Sequence, residues 1–488
     1  MKLLILTQKV NKKDPILGFF HRWIEIFSSY FEHITVICLE KGEYDLPKNV
    51  QVFSLGKEAG VSKFFYLRNF YRTVLSERKN YDVVFVHMNQ EYVLLGAFVW
   101  GLLGKKIYMW RNHPIGNFLT SLSVLLCDIT FCTSKYSYIN RFKKNVLMPV
   151  GIDTEFFSDK KGERTRSVLF LGRIAPLKRP DLLISALKKI REKEIPFSAT
   201  FYGSAHPDDQ AYFDTIKKDA YELGDSVRFY EAIPQSEVSN VYSEHTISVN
   251  LSPSGMFDKT IFEAALCGTL PLNSNENLRG EIDSRLFFEE SSVSDLVQKL
   301  EVLLLLSHGE LVELRERSRS YAYSKHSLSS LGEKLFKALR DDEEKRPFLG
   351  TILKYLVAGG TSAGVDILVL YILNGYFRLS YIPSSVLAFL VAFGVSFTLQ
   401  KFWTFRDSSL KIRTQATKYF FVTSCNLLLN TLLMYIFVDL VPLPYFLDLS
   451  HPHKVLVSQV IVAGLVALQS FFLYQKFVFT SNRSEVKI

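Results

Sequence analysis

The stretch Ser167-Val168-Leu169-Phe170-Leu171-Gly172-Arg173-Ile174-Ala175-Pro176-Leu177-Lys178-Arg179-Pro180-Asp181-Leu182-Leu183-Ile184 decides the fold class. Its apolar opening reads as a strand buried on both faces. A glycine turn follows, then two basic residues five apart, then a helix that opens with proline and an acid. A strand feeding a helix through a short turn is the repeating step of a parallel α/β sheet. Its turn lies at the carboxyl edge, where such sheets bind ligands. Arg173 offers a planar fork of donors and Lys178 a compact charge, both suited to a diphosphate. Alone, the same residues fit a solvated basic loop equally well.

A second stretch shifts that balance: Asn250-Leu251-Ser252-Pro253-Ser254-Gly255-Met256-Phe257-Asp258-Lys259-Thr260-Ile261-Phe262-Glu263. A strand ends in a Ser/Gly loop, and a helix is expected to begin near Lys259, its first-turn amides facing an anion. Glu263 lies one turn in, on the same side, and can accept hydrogen bonds from ribose hydroxyls. The competing reading is a helix-face carboxylate with no ligand.

Outward from these stretches, strands are expected at 3–6, 34–38, 83–86, 107–109, 129–132, 167–171, 199–202, 227–229, 247–251 and 270–273, with helices between. Two Rossmann-like units of an α/β fold follow, joined near Met148-Pro149-Val150-Gly151-Ile152-Asp153. Residues 3–6 read as the first buried strand rather than a signal peptide, because Lys9 follows at once.

The last third has a different composition. The chain has 488 residues and a net charge of +9, with mean hydropathy +0.10. Residues 347–488 hold eleven basic and five acidic residues, so they carry six of the nine net charges. Apolar runs at about 352–375, 383–402, 419–441 and 455–477 are each long enough to cross a bilayer as a helix. Lys401, Arg406, Lys411, Arg413 and Lys418 fall between the second and third runs, and Lys476, Arg483 and Lys487 at the end. The positive-inside rule puts these segments, both termini and residues 1–346 in the cytoplasm, at the inner membrane of the cell. The five cysteines form no ligand or disulfide pattern, and no metal or other cofactor is expected. The stretch Arg340-Asp341-Asp342-Glu343-Glu344-Lys345-Arg346-Pro347 reads as too polar to be buried and marks the hinge.

The membrane part also repeats itself. Lys354-Tyr355 and Lys418-Tyr419 open the first and third runs, and Asp366 and Asn430 keep the same offset. The second and fourth runs both end in Gln-Lys-Phe, at Gln400-Lys401-Phe402 and Gln475-Lys476-Phe477. An internal duplication of a helical hairpin is expected, with the two lysines anchored near lipid phosphates. A carboxylate at mid-span is costly, so Asp366 either contacts a lipid-linked sugar or polar path, or pairs with Asn430. The run Ala358-Gly359-Gly360-Thr361-Ser362-Ala363-Gly364 allows close helix approach.

Residues 1–340 resemble glycosyltransferases of family 4, with the GT-B fold. The resemblance rests on Pro149-Val150-Gly151-Ile152-Asp153-Thr154-Glu155-Phe156-Phe157, Gly172-Arg173 with Lys178, Ser252-Pro253-Ser254, and Glu263-Ala264-Ala265-Leu266-Cys267-Gly268-Thr269. It implies a nucleotide-diphosphate sugar in the second unit, an acceptor at the first, and transfer with retention. By it, Arg173 and Lys178 hold the leaving diphosphate without a metal, and Glu263 grips the ribose. Many members carry a further glutamate, touching the donor sugar, where this chain has Gly255. Asp258 and Lys259 either substitute for it or are plain helix-terminal charges. Gly18 either lets backbone approach the donor phosphate or is a simple turn. His113 either faces sugar or acceptor or is a loop histidine paired to backbone; His87 is a weaker candidate. Lys63-Phe64-Phe65-Tyr66-Leu67-Arg68-Asn69-Phe70-Tyr71-Arg72 either rests on a membrane or covers the sheet. The tail resembles the GtrA-like four-helix membrane family, through Leu353-Lys354-Tyr355-Leu356-Val357-Ala358-Gly359-Gly360 and the paired Gln-Lys-Phe ends. That implies a role in cell-surface polysaccharide assembly with polyprenyl-phosphate-linked sugars.

The expected organisation is an acceptor-side domain (1–150), a nucleotide-sugar domain (151–340), a charged linker (341–350) and a transmembrane domain (351–480). The expected function is a membrane-anchored glycosyltransferase acting on a lipid-linked acceptor, with no nucleic-acid partner. The alternative is a carrier of lipid-linked sugar with a nucleotide-sugar-sensing domain.

Overall fold

The computed structural model describes residues 1–14, 17–160, 166–255, 257–343, 348–405, 407, 409, 411–440 and 451–479. The chain divides into two compact units, one of residues 1–98 and 105–345 and one of residues 99–104 and 346–488. Pro15, Ile16, Met256, Arg346, Pro347, Arg406, Arg483 and Lys487 lie outside the described residues.

The first unit is built on two parallel sheets. Strands β1 (Lys2–Val10), β2 (His33–Lys41), β3 (Val50–Ser54), β4 (Val83–His87), β5 (Lys106–Trp110), β6 (Ile129–Cys132) and β7 (Asn145–Leu147) form a seven-stranded sheet ordered β3-β2-β1-β4-β5-β6-β7. Strands β8 (Ser167–Leu171), β9 (Ser198–Tyr202), β10 (Val227–Tyr230), β11 (Ile247–Asn250) and β12 (Leu270–Asn273) form a second, ordered β10-β9-β8-β11-β12. β1 and β4 are almost wholly buried, as their unbroken apolar runs require in a sheet covered on both faces. All ten expected strands are present. β3 and the three-residue β7 are additional.

The carboxyl-terminal helix of this unit departs from expectation. Leu328–Glu343 sends Leu328, Leu331, Leu335 and Leu339 into the core of the first sheet, beside Phe20, Trp23 and Phe27. The chain crosses back, so residues 151–340 do not form one contiguous domain. The charged hinge is not fully solvated either. Asp342 is 5% exposed and takes an ion pair from Lys106 at 2.9 Å and a hydrogen bond from the Tyr108 hydroxyl at 3.2 Å. A buried carboxylate is tolerated because both partners reach it.

Among the described residues, the second unit contains four helices of membrane length and hydropathy, Leu349–Tyr376, Tyr381–Thr404, Ile412–Val438 and Val457–Val478. Each ends in a wide π turn, at Ile372–Tyr376, Leu399–Thr404, Ile436–Leu440 and Tyr474–Val478. The bonds Phe377 N–H to Ile372 O (3.0 Å), Phe405 N–H to Gln400 O (2.8 Å) and Phe479 N–H to Tyr474 O (2.8 Å) show the i to i+5 spacing directly.

Both Gln-Lys-Phe ends fall in such turns, yet their surroundings differ. Gln475 and Lys476 are exposed. Lys401 is buried, which corrects the expectation of an ammonium at lipid phosphates. It pairs with Asp407 at 3.4 Å and donates to Ser409 O at 2.9 Å and to Gln415 Oε1 at 2.5 Å. Since Lys476 lies in the same kind of turn and is exposed, the turn alone does not bury Lys401; Asp407, six residues on, and Gln415 meet its charge. Lys401 thus belongs to the second span, and Arg413 and Lys418 to the third helix, rather than to a free loop.

Candidate active site

Two adjoining pockets of about 660 and 530 Å³ lie at the carboxyl edges of the two sheets. They share Phe19, Pro234, Gln235, Lys259 and Glu263, so they are two lobes of one cleft. The first lobe takes Gly18, Phe19 and Trp23 from the start of the helix Gly18–Phe27, and Gly151 to Asp153 from the crossing between sheets. The second takes Gly172 and Arg173 after β8, Gly203 and Ser204 after β9, and Ile233 after β10.

The crossing is fixed by named bonds. Trp23 Nε1 donates to Gly151 O at 3.1 Å, and Arg22 Nε to Asp153 Oδ2 at 2.8 Å. Gly151 has φ +76°, a left-handed conformation that L side chains avoid.

Arg173 is exposed in the second lobe and makes no hydrogen bond or ion pair with another described residue. Its fork is free for an anion. Lys178 is not free. Its ammonium lies 2.5 Å from Asp258 Oδ2 and 2.9 Å from Ser252 Oγ, and it lines neither lobe. Burial pushes the Asp258 carboxyl up, but the charge of Lys178 and hydrogen bonds from Lys178, Ser252 and Asn250 hold it below its usual value. Arg179, next in line, has φ +51°, the kind of strained backbone found at ligand turns.

Lys259 takes the open place. Its Nζ sits 3.1 Å from the centre of the Phe19 ring and 5.0 Å from that of Trp23, a cation resting on two aromatic faces. Burial lowers its ammonium to about 7, partly offset by Glu263. Glu263 is 8% exposed, and burial pushes its carboxyl up to about 7 against the pull of Lys259. The helix that carries it, Thr260–Leu266, begins one residue later than expected and has only seven residues. The anion-binding charge here therefore comes from Lys259 rather than from a helix terminus.

Gly255 has a steric reason. A Cβ there would lie 2.8 Å from Pro114 Cβ and 3.1 Å from Pro114 Cγ. The contact is held by a buried polar bridge, in which Asn277 Nδ2 donates to Ser254 O and Ser134 Oγ, both at 3.0 Å. A glutamate does not fit this arrangement.

The structure thus brings Gly18, Arg173, Lys259 and Glu263 to one cleft and leaves Lys178, Asp258, Gly255 and His113 off its lining. His113 is exposed, and its Nδ1 lies 3.0 Å from Ile115 N and 2.9 Å from Ile115 O. His87 is buried and stacked on Phe20 at 3.9 Å, where burial pushes it down to about 3. Phe19, Trp23 and the 233–235 loop were not singled out in the sequence. The loop had a usable signal, since it follows a strand at the ligand edge.

In the membrane unit, Asp366 and Gln400 line a separate cavity with Tyr355, Tyr419 and Tyr474. Asn430 is not among its lining residues, and Asp366 makes no hydrogen bond or ion pair with any described residue. The Asp366–Asn430 pairing is therefore not formed.

Known proteins bear on both units. Residues 151–325 match the model of glycosyl transferases group 1, and residues 354–479 that of the GtrA/DPMS transmembrane domain. The chain carries both domains. A D-inositol 3-phosphate glycosyltransferase of Frankia alni is 32% identical over 135 residues, 24% of this chain and 33% of that protein. The namesake from Mycolicibacterium smegmatis is 32% identical over 142 residues, 27% of this chain and 32% of its own length. The chain thus spans about a third of the length of these relatives. Anabaena HepE, solved with UDP and glucose, has a TM-score of 0.54 at 14% identity, covering 70% of this chain and 99% of HepE. The lipopolysaccharide outer core galactosyltransferase WaaB has a TM-score of 0.52 at 16% identity, covering 70% and 100%. The soluble unit has the fold of these transferases, a GT-B arrangement of two parallel α/β sheets.

Proposed function

We propose that the chain is a membrane-anchored retaining glycosyltransferase. It moves a sugar from a nucleotide diphosphate to a lipid-linked acceptor of the polyprenyl phosphate type, in cell-surface polysaccharide or glycolipid synthesis. The observation that carries this reading is the cleft in which Arg173 and Lys259, two cations without an ion-pair partner among the described residues, flank the buried Glu263. Four membrane-length helices on the same chain support the lipid acceptor.

In the transfer, the bond from the anomeric carbon to the phosphate oxygen breaks and the acceptor oxygen bonds to that carbon. Negative charge gathers on the leaving diphosphate. Lys259, seated on the Phe19 and Trp23 rings, and the open Arg173 fork stabilise it, which needs no metal. Lys178 sets the loop through Asp258 and Ser252, and is a positioning residue. Glu263 as carboxylate accepts from ribose hydroxyls, and Gly18, where a Cβ would lie 3.2 Å from Lys12 O, brings backbone to the cleft wall beside the donor phosphate. The positive-inside rule, applied to the basic residues beside the spans, favours the transferase unit on the cytoplasmic side of the inner membrane.

The test is a panel of labelled nucleotide sugars offered to membranes that contain the protein, followed by lipid extraction. Label is expected in the lipid fraction, and to vanish with Arg173→Ala or Glu263→Ala. Full turnover in both variants overturns the reading.

A further inference from the structure

The helices Lys63–Ser76, Gln90–Leu102 and Phe118–Leu126 follow β3, β4 and β5. Right-handed crossovers that step the same way along a parallel sheet leave their helices on one face. The step from β1 to β2 runs the other way, so Gly18–Phe27 covers the opposite face. The three helices also touch one another. The Tyr71 hydroxyl donates to Leu95 O at 2.9 Å, Phe70 stacks on Tyr92 with centroids 6.1 Å apart, and Ser123 Oγ donates to Gln90 O at 3.4 Å.

This face carries rings and branched chains where a soluble protein carries polar groups. Phe64 (72% exposed), Ile115 (71%) and Phe118 (78%) stand out of it, with Phe65, Phe98 and Leu119. One such residue alone is ordinary; a set spread over three adjoining helices marks a docking surface. Helices that follow strands begin at the carboxyl edge, so Phe64 and Phe118 stand on the edge that holds the cleft.

Charge selects what docks there. Residues 63–144 hold twelve basic and four acidic residues, whereas the rest of 1–346 holds thirty-five and forty. Lys63, Arg68 and Arg72 are exposed and make no ion pair with a described residue. Rings set among such cations suit an anionic lipid surface: the rings enter the headgroup level and the cations meet phosphates. A second copy meeting this face with its own brings the same charge and is repelled. A bilayer is at hand, since residues 99–104, at the end of the middle helix, group with the spans.

We propose that this helical face of the first sheet lies on anionic phospholipid headgroups, with Phe64, Ile115 and Phe118 inserted among them. The inference goes beyond anchoring by the spans, because it fixes which face of the transferase unit meets lipid.

The experiment uses the full chain with Cys425→Ser, which removes the exposed cysteine. A nitrobenzoxadiazole fluorophore is attached at Phe64→Cys, Phe118→Cys or Ser29→Cys, the last exposed just past the helix of the opposite face. In phosphatidylglycerol nanodiscs, doxyl-labelled lipid is expected to quench the first two about threefold more than the third. Phosphatidylcholine discs, or about 1 M salt, where the Debye length is about 3 Å, are expected to cut that difference about twofold. Each labelled site gives up a ring, so hydrogen exchange on the unmutated chain is the second measurement. Residues 63–76 and 115–126 are expected to exchange about threefold more slowly on phosphatidylglycerol than on phosphatidylcholine. Equal quenching at the three sites, or exchange that ignores lipid charge, overturns the proposal. Protection that appears only when two chains share a disc overturns it in favour of a second copy. None of these readouts needs sugar transfer, so failure here is distinct from failure of the donor-site test.

Discussion

Lys259 and Lys401 are both largely withdrawn from water, one in the soluble cleft and one in the membrane unit. Lys401 is met by a carboxylate, an amide oxygen and a backbone carbonyl. Lys259 is met by two aromatic faces and has no ion pair. A cation satisfied within the fold stabilises it; one left on a ring platform keeps its hydrogen-bonding capacity for a ligand. The same contrast separates the two cavities. The soluble cleft holds Arg173 and Lys259 without a described ion-pair partner, whereas the membrane cavity holds Asp366 and the Gln400 Oε1 without a described partner.

The largest expected effect tests the first half of that contrast. Lys401→Met strands Asp407, already 1% exposed, and should cost about 3–5 kcal/mol. Adding Asp407→Asn should restore most of it, as read by thermal unfolding in detergent. Lys259→Met should leave the unfolding midpoint nearly unchanged yet lower kcat/KM about 10²–10³-fold, the usual scale for losing one preorganised charge partner. Lys178→Met should cost only about tenfold in the same assay, since its charge already belongs to Asp258. If Lys178→Met costs as much as Lys259→Met, the Lys178–Asp258 pair opens for the donor and the contrast fails.

Titration sharpens the comparison further. Glu263 is raised to about 7, so it loses its accepting charge as pH falls below that value. Lys259 is lowered to about 7, so it loses its positive charge as pH rises above it. Donor affinity should therefore peak near neutrality and fall up to about tenfold per unit on each side. Calorimetry with the donor found in the panel reads this. Glu263→Gln should flatten the acid limb and Lys259→Met the alkaline one.

Local pattern made most of the fold legible. Unbroken apolar runs gave the strands of both sheets and the four spans within a few residues. The half-exposed edge strand β3 and the three-residue β7 lack such a run. The pairing of the charges was hidden. Lys178 and Asp258 are 80 residues apart, and Lys259 meets Phe19 from the other sheet, so neither partnership leaves a spacing signal. Lys401 was misread for a different reason: an amphipathic span end looks like an anchor until Asp407 and Gln415, 6 and 14 residues on, are seen to close on it.

Gly255 gives the finest test of how the soluble cleft got its charges. The Cβ clash with Pro114 predicts that Gly255→Ala destabilises the soluble unit by about 1–3 kcal/mol, the scale of overpacking. Pro114→Gly removes the blocking ring, so the double variant should recover stability despite the added loop freedom. Chemical unfolding reads both. With the ring gone, Gly255→Glu places a carboxylate in the loop that leads to Lys259. Donor affinity should fall if that carboxylate pairs with Lys259 and withdraws it from the phosphate. Unchanged affinity would mean that Lys259 is held by Phe19 and Trp23 alone, and that the ring platform rather than the missing glutamate keeps the cation available.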